Sequence, residues 1–277
     1  MTSLVAWTGV DTHGPSSVYL ATDSRITWSA DGRVTGVWDL ARKLFASQRS
    51  SDILAYAGDV LFPTQVLGQL ISLLDAGMLF AADATPEIRV QSIASVLREC
   101  MSRYPGDQLA GGGKVVIVHC CRSGERMASA FHVTELIYDA TTRGWIVNPL
   151  PLPTESDIVC VHGTGARFVT TWKQRWDSAL GRARTSRGVF SAFCRVLLNQ
   201  EDSRTGGAPQ LVGIYRLGPA RTFGAIYGGQ RYLFGLPAPI VLDDSQIEWR
   251  DDLFQRCDPV TLARLEDAQR HHRPRGL

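Results

Sequence analysis

Apolar positions along the chain follow two rhythms. Through the opening stretch, short runs rich in β-branched and aromatic residues are separated by turn-forming clusters, which is the pattern of strands. Residues 3–10 predict one strand, 18–27 a second, 42–48 a third, and 53–57 a fourth that ends at Gly58. Gly14 and Pro15 make 11–17 a loop, and 49–52 reads as a turn. Joined by short turns, these four strands imply an antiparallel sheet with the start of the chain at its edge or cleft. A helical period then takes over. Val66, Leu67, Leu70, Ile71 and Leu74 mark one face over 63–76, and Val90, Ile93, Ala94, Leu97 and Met101 mark another. Thr85-Pro86 is an N-cap followed by proline at the first helical position, and Tyr104-Pro105-Gly106 stops that helix.

Strand patterns return at 115–121, 127–133, 145–147 and 158–162. A second helix pair follows: Phe168, Val169, Trp172, Trp176 and Ala179 line one helix, and Val189, Phe190, Phe193 and Leu197 line the other after a Ser186 cap. Residues 211–217 and 221–227 close the series. This order buries every apolar face if two antiparallel sheets pack together with a helix pair outside each. The expected fold is therefore α+β, a four-layer αββα sandwich. One domain spans 1–234. A C-terminal extension, 235–277, follows, in which Pro237 and Pro239 interrupt the pattern and whose charged end is expected to be mobile.

Composition sets limits. With 44% hydrophobic and 20% charged residues and a net charge of +2, the 277-residue chain has the balance of a soluble globular protein. Nothing in that charge suggests a nucleic-acid or anionic-membrane partner. No apolar run approaches the roughly 20 residues that span a bilayer, and the opening residues lack the basic and apolar regions of a signal peptide, so a cytoplasmic location is expected. The six cysteines form no Cys-x-x-Cys pair and have no histidine at zinc-finger spacing. They read as reduced structural residues, with no metal or cofactor expected. The glycines at 111–113 before Lys114 do not make a phosphate loop, because Val115 stands where Ser or Thr is required. His271-His272 reads as part of a solvated tail.

Candidate chemistry begins at Thr2. One methionine precedes it, so removal of Met1 would leave a hydroxyl and a free α-amine on one residue. The hydroxyl can attack and the amine can take its proton. An α-amine titrates near ~7.7–8.0, close enough to neutrality to act as a general base. Downstream come Asp23 and Arg25 in Asp-Ser-Arg, Lys43 in Arg-Lys-Leu-Phe, and Gly58 in Tyr-Ala-Gly-Asp. The strand period of two would put Asp23 and Arg25 on one face.

This order resembles the catalytic β-subunit of the proteasome and its bacterial relatives, an N-terminal-nucleophile hydrolase family, over residues 2–227. The loops at 11–17 and 28–41 are longer than in typical members. The resemblance implies the same αββα fold and assigns roles by position. Thr2 is the nucleophile. Lys43 favours alkoxide character beside it, and Asp23 holds Lys43 and balances its charge. The Gly58 N–H faces the developing oxyanion. Gly163-Thr164-Gly165 and the Asp202…Thr205 pair match later motifs, so Thr164, Asp202 and Thr205 would orient the α-amine. Arg25 braces the first strands. Tyr56 and Ile26 are expected beside the scissile bond.

The activity so implied is threonine-type peptide hydrolysis in a homo-oligomeric ring or similar assembly. Its substrate would be a peptide or unfolded protein, and a separate ATP-driven unfoldase would feed it. Two alternatives stay open: an amidohydrolase acting on a small amide, since fold does not fix substrate, and a catalytically silent shell subunit. The sequence carries no Gly-x-Ser-x-Gly or His-Glu-x-x-His motif to suggest other hydrolytic chemistry.

Overall fold

The computed structural model describes residues 2–105, 109, 114–180 (residue 180 by its backbone only), 184–239 and 247–274. In chain order the elements are β1 (Leu4–Asp11), β2 (Gly14–Thr22), β3 (Ile26–Ala30), β4 (Arg33–Trp38), β5 (Leu44–Ala46), β6 (Asp52–Gly58), α1 (Leu61–Asp75), α2 (Pro86–Arg103), β7 (Val115–Ser123), β8 (Ala130–Asp139) and β9 (Gly144–Leu150). They continue with β10 (Ile158–His162), α3 (Ala166–Leu180), α4 (Ser186–Leu198), β11 (Gln210–Tyr215), β12 (Arg221–Tyr227), β13 (Gln230–Leu233), β14 (Leu236–Pro237), β15 (Glu248–Arg250) and β16 (Arg256–Cys257).

Two larger sheets result. One runs β10-β1-β2-β11-β12-β13-β14, with β15 joined in parallel to β12 and β16 antiparallel to β15; the other runs β5-β6-β7-β8-β9. Alternation along the strands sorts their side chains into separate cores. Leu4, Ala6, Val18 and Leu20 of the first sheet pack with Leu44, Ile53, Ala55, Val116 and Val118 of the second. The intervening residues Val5, Trp7, Tyr19 and Ala21 turn instead to Val169, Trp172, Phe190 and Phe193 of α3 and α4. Leu54, Tyr56 and Ile117 pack on Phe62, Leu67, Ile93 and Leu97 of α1 and α2. Strands buried on both faces read as continuous apolar runs, which is why 3–10 and 53–57 were legible as strands but not as to face.

Several details differ from the sequence reading. The opening four strands do not share one sheet: β1 and β2 belong to the first, β5 and β6 to the second, and an extra hairpin, β3–β4, lies between them in sequence. The loop expected over 11–17 shrinks to a turn at Thr12-His13, because Gly14 takes a positive φ of 97° and starts β2 at once. The strand expected over 18–27 ends at Thr22, leaving Asp23 and Arg25 in the bend before β3. The cap of α4 is Thr185, whose side chain accepts from the Gly188 N–H, rather than Ser186. Of the 235–277 extension, the described part is docked: β15 joins the first sheet, Phe254 enters the α3–α4 core, and the His271 N–H donates to Gln255 Oε1 at 2.7 Å. Met1 and the glycines at 111–113 lie outside the described residues.

Candidate active site around residue 2

Residue 2 enters the fold two residues ahead of β1, fully buried. The turn after β10 closes over it. Gly163 sits at φ +92°, and a Cβ there would come within 1.7 Å of the Thr2 carbonyl oxygen, so only glycine allows this approach. Gly165 lies against the Ser3 side chain and the Thr205 methyl group, which brings the 202–206 loop to the same place.

Asp23 is the hub. Its Oδ1 accepts the Ser3 N–H at 3.0 Å and the Lys43 ammonium at 2.7 Å. Its Oδ2 accepts the Gly206 N–H at 3.0 Å and the Arg25 N–H at 3.2 Å, and its own N–H donates to Ser3 O at 3.1 Å. A carboxylate serving backbone donors in this way replaces a ladder, which is why β2 stops at Thr22. Lys43 and Asp23 have no exposed side-chain surface. Lys43 Nζ also donates to Arg25 O at 2.5 Å. Burial pulls the Lys43 ammonium below its ordinary range, and the Asp23 charge opposes that pull. The peptide group joining Thr2 to Ser3 and the buried ammonium therefore share one carboxylate oxygen.

The remaining expected residues fall into two groups. Gly58 ends β6 at φ +103°, where a Cβ would meet Lys114 O at 2.1 Å. Thr205 is buried, and its N–H donates to Asp202 O at 3.1 Å; Asp202 Oδ1 accepts from the Arg204 N–H, while its buried Oδ2 has no partner among the described residues. Arg25 makes a two-pronged ion pair with Asp39, at 2.7 and 2.9 Å, and reaches Ser203 O. Thr164, by contrast, is exposed on its turn. Ile26 is half-buried at the start of β3. Tyr56 is fully buried in the core facing α1, its hydroxyl 3.2 Å from Thr64 Oγ1 and 3.4 Å from Arg42 O. A groove of about 810 Å³ lined by Arg98, Tyr104, Tyr138 and Trp145 includes none of these residues.

Gln210 was not foreseen. Its Nε2 donates to Ala41 O at 2.8 Å, to Asp23 O and Ser24 Oγ at 3.2 Å each, while its Oε1 accepts the Lys43 N–H at 3.1 Å. One amide thus ties both members of the ion pair to β11. No spacing in the sequence signals it, because its partners are backbone groups brought close only by the packing of two sheets. Asp39 was missed because its partner, the Arg25 guanidinium, is brought to it only when β3 pairs with β4.

The solved structures that this chain resembles are of the proteasome-like, N-terminal-nucleophile hydrolase fold. They include Anbu, an ancestral β-subunit, from Yersinia bercovieri (12% identity, TM-score 0.49, covering 84% of this chain and 87% of that one). HslV from Trypanosoma brucei is another (13%, 0.45, 76% and 99%), as is the Thiobacillus denitrificans protein BPH in complex with epoxomicin (11%, 0.48, 77% and 99%). No protein-family model matches the sequence, and no curated protein is matched by it.

Proposed function

We propose that the chain is a threonine peptidase whose nucleophile is the Thr2 hydroxyl, freed to act by removal of Met1. The observation that carries this reading is the sharing of Asp23 Oδ1 between the Ser3 N–H and the Lys43 ammonium, which sets a buried positive charge beside residue 2. In this reading the α-amine of Thr2 takes the hydroxyl proton as the oxygen attacks the scissile carbonyl, and later delivers it to the leaving amine. Lys43 stabilises the developing alkoxide, and Asp23 keeps the ammonium charged against the pull of burial. The Gly58 N–H is the oxyanion donor, a contribution typically on the order of 10²–10³ in rate. Asp202 and Thr205 orient the amine; an orphaned buried carboxylate oxygen on Asp202 is a fitting acceptor for it. The exposed Thr164 is the weakest member of the set.

The architecture we propose is a four-layer αββα sandwich over 1–234, supported by three cores that pair sheet with sheet and each sheet with two helices. Residues 235–277 form the C-terminal extension. Assembly into a homo-oligomer is supported by the exposed Trp28, Val37 and Trp38 on the β3–β4 hairpin. Its substrates would be peptides or unfolded proteins, with an ATP-driven unfoldase as a separate partner. No helix among the described residues is long and apolar enough to cross a membrane.

The test is intact-mass measurement of the purified protein joined to a fluorogenic peptide panel, run beside Thr2→Ala. Loss of Met1 with peptide cleavage that vanishes in the variant supports the proposal. Turnover of one small amide alone supports an amidohydrolase instead. A retained Met1 with no turnover supports a silent subunit.

A further inference from the structure

A second constellation of ligand-type side chains lies between the sheets, at the edge where β10 faces β8. Cys160 and His162 are two residues apart on β10, paired with Ala6 and Leu4 of β1, both of which point into the inter-sheet core. The period of two therefore turns both side chains inward. Glu135 of β8 sits opposite Val118, another inter-sheet residue, and faces them from the second sheet. A Glu135 carboxylate oxygen, the Cys160 Sγ and a His162 ring nitrogen lie within 4.8 Å of one another, and His162 Nε2 is 2.6 Å from Glu135 Oε1. The far carboxylate oxygen, Oε2, accepts from Asn148 Nδ2 at 3.2 Å, which fixes the orientation of the group. Glu135 is buried, while Cys160 and His162 are half-buried, so the cluster is sheltered but not sealed.

We propose that Glu135, Cys160 and His162 form a binding site for a zinc-class divalent transition metal that fastens β10 to β8. Thiolate, imidazole and carboxylate make the mixed donor set such ions accept, with three protein ligands and one position for water. Asn148 is the outer-shell partner that orients the carboxylate. A second cluster of the same residue types, Asp52, His119 and Cys121, shows why this one is favoured. There Arg89 already lies 2.9 Å from the Asp52 carboxylate and supplies the balancing charge. Among the described residues no lysine or arginine pairs with Glu135, so the carboxylate has room in its charge balance for a cation. His162 runs directly into Gly163, whose missing side chain admits the Thr2 carbonyl, so the metal would brace the turn that closes over residue 2. The site stands on its own geometry and does not depend on the peptidase reading.

The experiment loads the full chain with Zn²⁺ or Co²⁺ alone after chelator treatment and measures bound metal by mass spectrometry and absorption. One metal per chain is expected, with the thiolate-to-cobalt charge-transfer and tetrahedral d–d bands. Cys160→Ala should abolish the charge-transfer band, and Asn148→Ala should weaken binding by about 10–100-fold. The double variant His271→Ala/His272→Ala should bind as the parent does. Background-level metal in the parent, a charge-transfer band that survives in Cys160→Ala, or binding that disappears with the tail histidines each overturns the proposal.

Discussion

The Lys43 ammonium and the Asp23 carboxylate meet at 2.7 Å with neither side chain exposed to solvent. A buried pair of this kind tolerates the loss of both charges far better than the loss of one, since the survivor is left unpaired in a low-dielectric interior. Asp23→Asn and Lys43→Met should each destabilise the fold by about 3–5 kcal/mol. Denaturant titration checks this, and the double variant should recover part of the loss. Single variants as stable as the parent would mean that the pair is solvated.

The same pair sets a pH signature. Burial holds Lys43 below its ordinary value of 10.5, and Asp23 counteracts this. Because the unfolded chain binds this proton more tightly, the group's contribution to stability rises with pH from its lowered folded value up to 10.5 and is lost as pH falls back through it. If the charged lysine supports catalysis, the alkaline limb of kcat lies below 10.5 and moves lower in Asp23→Asn. The acid limb, set by an α-amine, falls near ~7.7–8.0. An alkaline limb that does not move in Asp23→Asn removes Lys43 from the mechanism.

Gln210 should behave as a positioning residue. Gln210→Ala strands the buried Lys43 N–H and the Asp23 and Ala41 carbonyl oxygens, at a cost on the order of 1–3 kcal/mol for each group left without a partner. Turnover of peptide should fall while KM stays near the parent value, since Gln210 touches the ion pair and nothing a substrate would occupy. A rise in KM with unchanged kcat would place it in substrate binding instead.

What the sequence made legible was periodic. Helices α1 to α4 follow from their apolar spacing, and the Thr85-Pro86 start of α2 was found as a cap whose side chain accepts from the Ile88 N–H. What it hid was relational. Asp23 and Arg25 read as strand residues because nothing local reveals that the carboxylate will take three backbone N–H groups. Cys160-Val161-His162 escaped notice because strand spacing is not zinc-finger spacing, and Glu135 reaches it only through the packing of one sheet on the other. Strands β13 to β16 were hidden by prolines and short length; the extension pairs along β12 and along its own turns.

Gly163→Ala tests the closure over residue 2. The substitution must place a methyl group 1.7 Å from the Thr2 carbonyl oxygen at a φ of +92°, which costs on the order of 1–3 kcal/mol in backbone strain before the clash is counted. Thermal stability should drop, and peptide turnover should drop further than Gly77→Ala, a positive-φ control with open space around it. Equal losses in the two variants would reduce the effect to strain alone.

The last prediction concerns the β3–β4 hairpin. Its register sets Ile26 opposite Trp38 and Trp28 opposite Gly36, so by the period of two both indoles lie on one face of the ribbon, and Gly36 leaves space for the Trp28 ring. Trp28 and Trp38 are 53% and 47% exposed, and Val37 on the other face is 49% exposed. An isolated two-stranded ribbon is marginally stable in water and needs something to pack against. A second copy of the chain is the occupant the proposed assembly supplies. Light scattering should therefore find an oligomer, and Trp28→Ser/Trp38→Ser should yield monomer with an unchanged circular-dichroism spectrum. A parent chain that is monomeric at all concentrations would strip the hairpin of this role and leave the site to work alone.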